Sequence, residues 1–219
     1  MNCVTSGTWN IVVGLFVLVL LAGMGLAAAL ALGWRSQIPR RDPDHSLSDL
    51  HLQAQGDGIQ ATTAAGYRVR LARPGQHGWA SAGVNIGDFE VEVEVISTLP
   101  SEDVGFGLLY RYQDPDNHYL FAIGGDGYYT VALVRAGEIS ALREWEQFPH
   151  IRRGAATNRL RVHCRGSRCR FYINDEFAAE IDEGTYSRGD LALWAQTFSD
   201  RELELLFTSF RVWSVEGHR

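Results

Sequence analysis

Glu90, Glu92 and Glu94 alternate with Val91, Val93 and Val95 in the run DFEVEVEVI at 88–96. Residues two apart on a strand share a face, so the three carboxylates would stand in a row. Two carboxyls about 5–5.5 Å apart can serve as acid and nucleophile in retaining glycoside cleavage. A plainer reading fits the same pattern. The valines would face inward and the acids, with Asp88, would face solvent, because four buried carboxylates would be prohibitively costly. The solvated face is preferred, and Glu90, Glu92 and Glu94 stand only as weak catalytic candidates.

A second set is aromatic and polar: Tyr110, Arg111, Tyr112, Tyr119, Tyr128, Trp145, Trp194 and Gln196. Sugar rings present C–H faces to aromatic rings and hydroxyls to polar side chains, so such a set could line a saccharide groove. Alternation splits it, because Arg111 opposes Tyr110 and Tyr112. Arg111, Tyr119, Trp145, Trp194 and Gln196 are the candidate ligand-binding residues, with core packing as the rival role for each. Asp114, Asp116 and Asn117, with Asp126, could offer oxygen ligands to calcium. Asp-Pro-Asp-Asn and Gly-Asp-Gly are also strong turn formers, and the turn reading is preferred, so no cofactor is expected. Arg152, Arg153, Arg159, Arg161, Arg165, Arg168 and Arg170 form a basic cluster with no acid between them. It could meet an anionic polymer or headgroup. Neutralising the Glu90–Glu94 face is the preferred role. No Ser/His/Asp order, phosphate loop or paired CxxC signature accompanies these sets, and the seven His are scattered.

The elements that must position these residues begin with a cysteine pair. In NRLRVHCRGSRCRFYIN, at 158–174, two alternating runs flank Gly166-Ser167, and Gly first in a two-residue loop suits a type II′ hairpin. That register opposes Arg165 with Arg168, Cys164 with Cys169, Val162 with Phe171 and Leu160 with Ile173. A non-hydrogen-bonded Cys pair would have Cα atoms about 4.5 Å apart, within disulfide reach. Cys164 and Cys169 are expected to be bonded, with buried free thiols or a metal site through His163 as alternatives. A disulfide implies an oxidising compartment.

From residue 66 to 213 short alternating runs are separated by turn residues, the pattern of an all-β sandwich. Residues 11–32 are 22 uncharged, mostly apolar positions between Trp9 and Trp34. As a helix they would span about 33 Å, enough for a bilayer core. They are read as a single-pass transmembrane helix at about 11–33, within an N-terminal segment 1–34. The A-x-A form of Ala29-Leu30-Ala31 leaves signal cleavage as the alternative. Residues 35–58 read as a linker and 59–216 as the sandwich, although Leu50, Leu52 and Ala54 alternate as a first strand would. Arg35, Arg40 and Arg41 after the span favour a cytoplasmic domain by the positive-inside rule. The Cys pair favours the outside, and an extracytoplasmic domain on the cell membrane is the expectation. All 20 basic residues are Arg against 26 acids, a net charge of −6, which argues against nucleic-acid binding.

The succession GYRVRL, DFEVEVEV, GFGLLYRYQDPDNHYLFAI, NRLRV, FYIND, GDLALWA and FTSFRVW resembles the concanavalin A-like lectin/glucanase jelly roll. Within it the resemblance is to bacterial domains described as 3-keto-disaccharide hydrolase or family-16-glycosidase-like. It covers about residues 64–214 and is most specific at 107–121 and 158–174. It implies a two-sheet antiparallel jelly-roll sandwich, with ligands usually taken on the concave sheet, and it accommodates both enzymes and binding modules. The family-16 motif Glu-x-Asp-x-(x)-Glu is matched imperfectly, since the middle acid is Glu92 and the run comes early. The expected function is therefore a membrane-anchored, non-catalytic module binding carbohydrate or another cell-surface ligand. A glycoside hydrolase using the strand carboxylates and a protein-interaction scaffold are the alternatives.

Overall fold

The computed structural model describes residues 41–99, 102–198 and 202–215. The expected span at 11–32 lies outside the described residues, and among those described no helix is long and apolar enough to cross a membrane. The compact unit Asp42–Arg219 holds the strands. They are β1 (His45–Ser46), β2 (Gln53–Gly56), β3 (Ile59–Thr63), β4 (Gly66–Leu71), β5 (His77–Ser81), β6 (Phe89–Ser97), β7 (Val104–Asp114) and β8 (Asn117–Gly124). There follow β9 (Tyr128–Arg135), β10 (Glu138–Gln147), β11 (Thr157–Arg165), β12 (Arg168–Ile173), β13 (Glu176–Asp182), β14 (Asp190–Thr197) and β15 (Leu203–Ser214).

They form two antiparallel sheets. The eight-stranded sheet runs β13-β12-β11-β6-β15-β4-β3, with β1 on β15; the seven-stranded sheet runs β10-β9-β8-β7-β14-β5-β2. Alternation decides what each sheet buries. Phe89, Val91, Val93 and Val95 of β6 meet Phe106, Leu108 and Tyr110 of β7 within one core cluster. This is an all-β, two-sheet jelly-roll sandwich. Its apolar interior is continuous from Tyr67 to Val212, which suits a domain that needs no metal staple.

The hairpin of β11 and β12 has the register expected from its sequence: Cys164 faces Cys169, Arg165 faces Arg168, and Val162 faces Phe171. Gly166 takes φ +59° while Ser167 stays at negative φ, as a type II′ turn requires. Cys164 and Cys169 are disulfide-bonded, their Cα atoms 4.1 Å apart. The chain from 42 to 58 is not simply a linker. It supplies β1 and β2, and Leu47, Leu50 and Leu52 pack against the core. The alternating leucines there outweigh the Pro- and Asp-rich composition around them.

Candidate functional site

The outer face of the eight-stranded sheet carries the paired charges. Glu90, Glu92 and Glu94 of β6 lie opposite His163, Arg161 and Arg159 of β11 and opposite Trp213, Arg211 and Ser209 of β15. Arg211 Nη2 lies 2.9 Å from Glu92 Oε1, Arg159 3.4 Å from Glu94, and Arg161 3.7 Å from Glu90. Although on the outer face, Glu92 is only 2% exposed. Arg161 also lies 4.3 Å over the ring of Tyr172. Further along, Arg168 and Arg170 pair with Glu180, and Arg168 with Asp182. Arg159, Arg161, Arg168 and Arg170 of the basic cluster thus answer the acids of neighbouring strands. None of the three glutamates stands beside Trp145 or Trp194, which belong to the other sheet.

The outer face of the seven-stranded sheet is of a different kind. A second apolar cluster covers it: Leu109, Tyr112, Ala122, Ala192 and Trp194, with Trp79 and Leu120 against them. Trp194 of β14 lies opposite Trp79 of β5 and Gly107 of β7. Gly105 is bare for a reason. A Cβ there would sit 3.1 Å from both the Trp194 and the Phe198 rings, so its absence lets both rings lie over the sheet. The two rings divide the face into two depressions. One, of about 280 Å³, is lined by His77, Trp79, Tyr112, His118, Trp194 and Gln196 among others. The other, of about 390 Å³, is lined by Glu102, Asp103, Asp126, Tyr128, Trp145 and Phe198, with Val104 and Gly124 below.

Local irregularities set these positions. The pairing of β10 with β9 slips on either side of Arg143, and the Thr130 hydroxyl donates to the Arg143 carbonyl at 2.8 Å. Such bulges re-aim side chains, and this one delivers Trp145 to the face, edge-on to Phe198 at 6.2 Å. The Phe198 N–H donates to the Asp103 carbonyl, which ties the acidic loop to the end of β14. In the first depression His77 stacks on Trp79 at 5.8 Å, and Tyr112 lies 5.7 Å from His118. Burial holds the His118 imidazole below its ordinary 6.5 against the pull of Asp114 and Asp116. Burial also lifts the Tyr112 phenol above 10; the Trp79 indole N–H opposes that lift without completing a hydrogen bond.

Of the five expected ligand-binding residues, the structure brings Trp194, Gln196 and Trp145 to this face and takes Arg111 and Tyr119 away from it. Between Tyr110 and Tyr112 the register with β14 slips, and Arg111 sits at φ +48°. That bulge reverses the alternation. Tyr110 enters the core, Tyr112 reaches the outer face, and Arg111, 1% exposed, turns inward. Its guanidinium donates to the carbonyls of Tyr186 (2.9 Å), Gly87 (3.3 Å) and Gly166 (2.5 Å), joining the bulge to the disulfide hairpin. Tyr119 stacks on Tyr110 at 4.9 Å inside the sandwich, and its hydroxyl donates to Glu183. Burial and that carboxylate push its phenol up to about 12.

The oxygen-rich loop is a turn. Asp114 Oδ1 accepts from the Asp116 N–H at 2.9 Å and the Asn117 amide at 2.8 Å. Asn117 Oδ1 accepts from the Ala136 N–H and the Tyr186 hydroxyl. Among the described residues no group of three or more His, Cys, Asp or Glu side chains is placed to hold a metal ion. Sequence reasoning did not single out Trp79, Phe198, Glu102 or Asp103. HGWAS is too short and too small to read as a strand, and the acids look like ordinary loop polarity.

The fold class is a two-sheet antiparallel jelly-roll sandwich with aromatic rings on one outer face. The sequence matches no family model and no curated protein. The structure is similar to carbohydrate-binding module CBM66 from Bacillus subtilis, with TM-score 0.60 and 18% identity over 74% of this chain and 95% of that one. It is similar also to a protein of unknown function with a galectin-like fold from Bacillus subtilis, with TM-score 0.62 and 11% identity over 80% and 97%. A third is the VIP36 exoplasmic/lumenal domain in its Ca2+/Man3GlcNAc-bound form, with TM-score 0.56 and 16% identity over 80% and 90%. At these identities the likeness establishes the fold.

Proposed function

We propose that this chain is a non-catalytic carbohydrate-binding module, held at a membrane by residues 11–32, that takes its ligand on the outer face of the seven-stranded sheet. The carrying observation is that Trp145, Phe198 and Tyr128 line one depression with Gly124 and Val104, and that Phe198 meets Trp194 over Gly105. Flat rings over a small-residue floor suit the C–H face of a pyranose, with Gln196 and loop carboxylates in reach of hydroxyls. The likeness to CBM66 and VIP36 supports this reading. The ion pairs of Glu90, Glu92 and Glu94, on the other sheet from these rings, favour binding over hydrolysis.

A glycan array probed with the full-length chain in detergent tests it. Retention of a defined subset of glycans, lost in Trp145→Ala, is the expected result; uniform non-binding overturns the reading and leaves the protein-interaction alternative. The disulfide supports an extracytoplasmic domain. A cysteine replacing the exposed Ser140, in a Cys3→Ser background, then reacts with an impermeant maleimide on intact cells. Reaction only after lysis would place the domain in the cytoplasm.

A further inference from the structure

Three of the six large apolar side chains that stand exposed among the described residues line a single depression: Tyr128 (37%), Trp145 (41%) and Phe198 (50%). Three carboxylates share the rim: Glu102, Asp103 and Asp126. On the eight-stranded sheet Glu92, Glu94 and Glu180 are each answered by an arginine. Here none of the three has an ion-pair partner within 4 Å among the described residues, and no base belongs to the lining. Arg153 packs against Gly127, 2.5 Å from where a Cβ would stand, without pairing to Asp126. Asp126 is spent only in part, accepting the Tyr128 N–H at 3.2 Å.

We propose that this depression is a subsite for a saccharide carrying a protonated amine, an amino sugar with a free amino group. The inference rests on the saccharide reading and narrows it to a class. A neutral pyranose needs donors as well as acceptors, whereas this rim offers mainly acceptors. An ammonium answers the carboxylates through charge-assisted hydrogen bonds and gains further from the aromatic faces. The sugar's C–H face lies on Trp145 and Phe198. Uronates and sulfated sugars meet three like charges and are turned away.

The test is calorimetric titration of the full-length chain in detergent with tetramers of glucosamine, N-acetylglucosamine and galacturonate. At about pH 6.5 and low salt the glucosamine tetramer binds about ten-fold or more tightly than the N-acetylated one, and galacturonate does not bind. The preference falls away near pH 9.5, where a sugar amine, like an α-amino group, is neutral. Glu102→Gln/Asp103→Asn reduces the preference of the glucosamine over the N-acetylated tetramer below about three-fold, whereas Trp145→Ala weakens both affinities together and keeps the preference; unchanged urea midpoints show that the variants fold. Equal affinity for the charged and acetylated tetramers, or tighter galacturonate binding, overturns the amino-sugar assignment and leaves the saccharide reading standing. If no saccharide of any charge binds here or on the array, both readings fall.

Discussion

The two outer faces of the sandwich are built by the same alternation and come out opposite. On the eight-stranded sheet, β6 contributes three carboxylates, and β11 and β15 place a base against each of them or beside it. That face pairs its own carboxylates. On the seven-stranded sheet, glycine and alanine lie in the floor with aromatic rings over it, and among the described residues no base pairs with the loop acids at its end. A row of charge is the more conspicuous signal in a sequence, yet paired charge leaves little for a ligand. Unanswered groups beside exposed rings mark the site better.

The comparison can be broken by experiment. The largest expected effect lies between the faces, at Arg111. Arg111→Met removes the buried donor shared by the Tyr186, Gly87 and Gly166 carbonyls and is expected to cost about 3 kcal/mol in urea unfolding. A loss below about 1 kcal/mol would mean that the sheets are not joined through it. Next is Cys164→Ser/Cys169→Ser, which opens a short loop and is expected to cost about 2 kcal/mol while glycan retention is unchanged, since the hairpin belongs to the other sheet.

Two substitutions then test the faces against each other. Glu92→Gln removes a buried partner of the half-exposed Arg211, with an expected loss of about 1–2 kcal/mol and no change in glycan binding. Trp145→Ala should do the reverse, weakening binding about ten-fold with a stability change near 0.5 kcal/mol. If Glu92→Gln impaired binding, the division between the faces would fail. The smallest effect is alkaline. The Tyr119 phenol is raised from 10 to about 12 in the folded chain. Its contribution to stability is therefore full below about pH 10 and is lost as the pH rises through about 12. Tyr119→Phe should flatten that part of the stability profile.

Regular alternation made half of this legible. Val-Glu repeats assign the faces of β6 without ambiguity, and Gly166-Ser167 between two alternating runs sets the register of β11 and β12, so the cysteine pairing followed. Alternation failed at Arg111, where one residue at positive φ reverses the parity of Tyr110 and Tyr112. The trace it leaves is distant in sequence. Gly189, where a Cβ would lie 2.4 Å from the Arg111 carbonyl carbon, is the residue that admits the bulge. Trp79 and Phe198 escaped notice because their importance comes from cross-strand neighbours, Trp194 and Gly105, which no local pattern brings together.

The order of strands in space has a consequence for how this domain is made. β14 sits between β7 and β5, and β15 between β6 and β4, so the two last-described strands occupy interior places in both sheets. Neither sheet can close until residues beyond about 190 have left the ribosome. Until then Val91, Phe106 and their neighbours have open strand edges beside them, and contacts across more than a hundred residues must form late. The nascent chain therefore carries unpaired strand edges for most of its synthesis, a condition that favours aggregation over folding until β14 and β15 arrive.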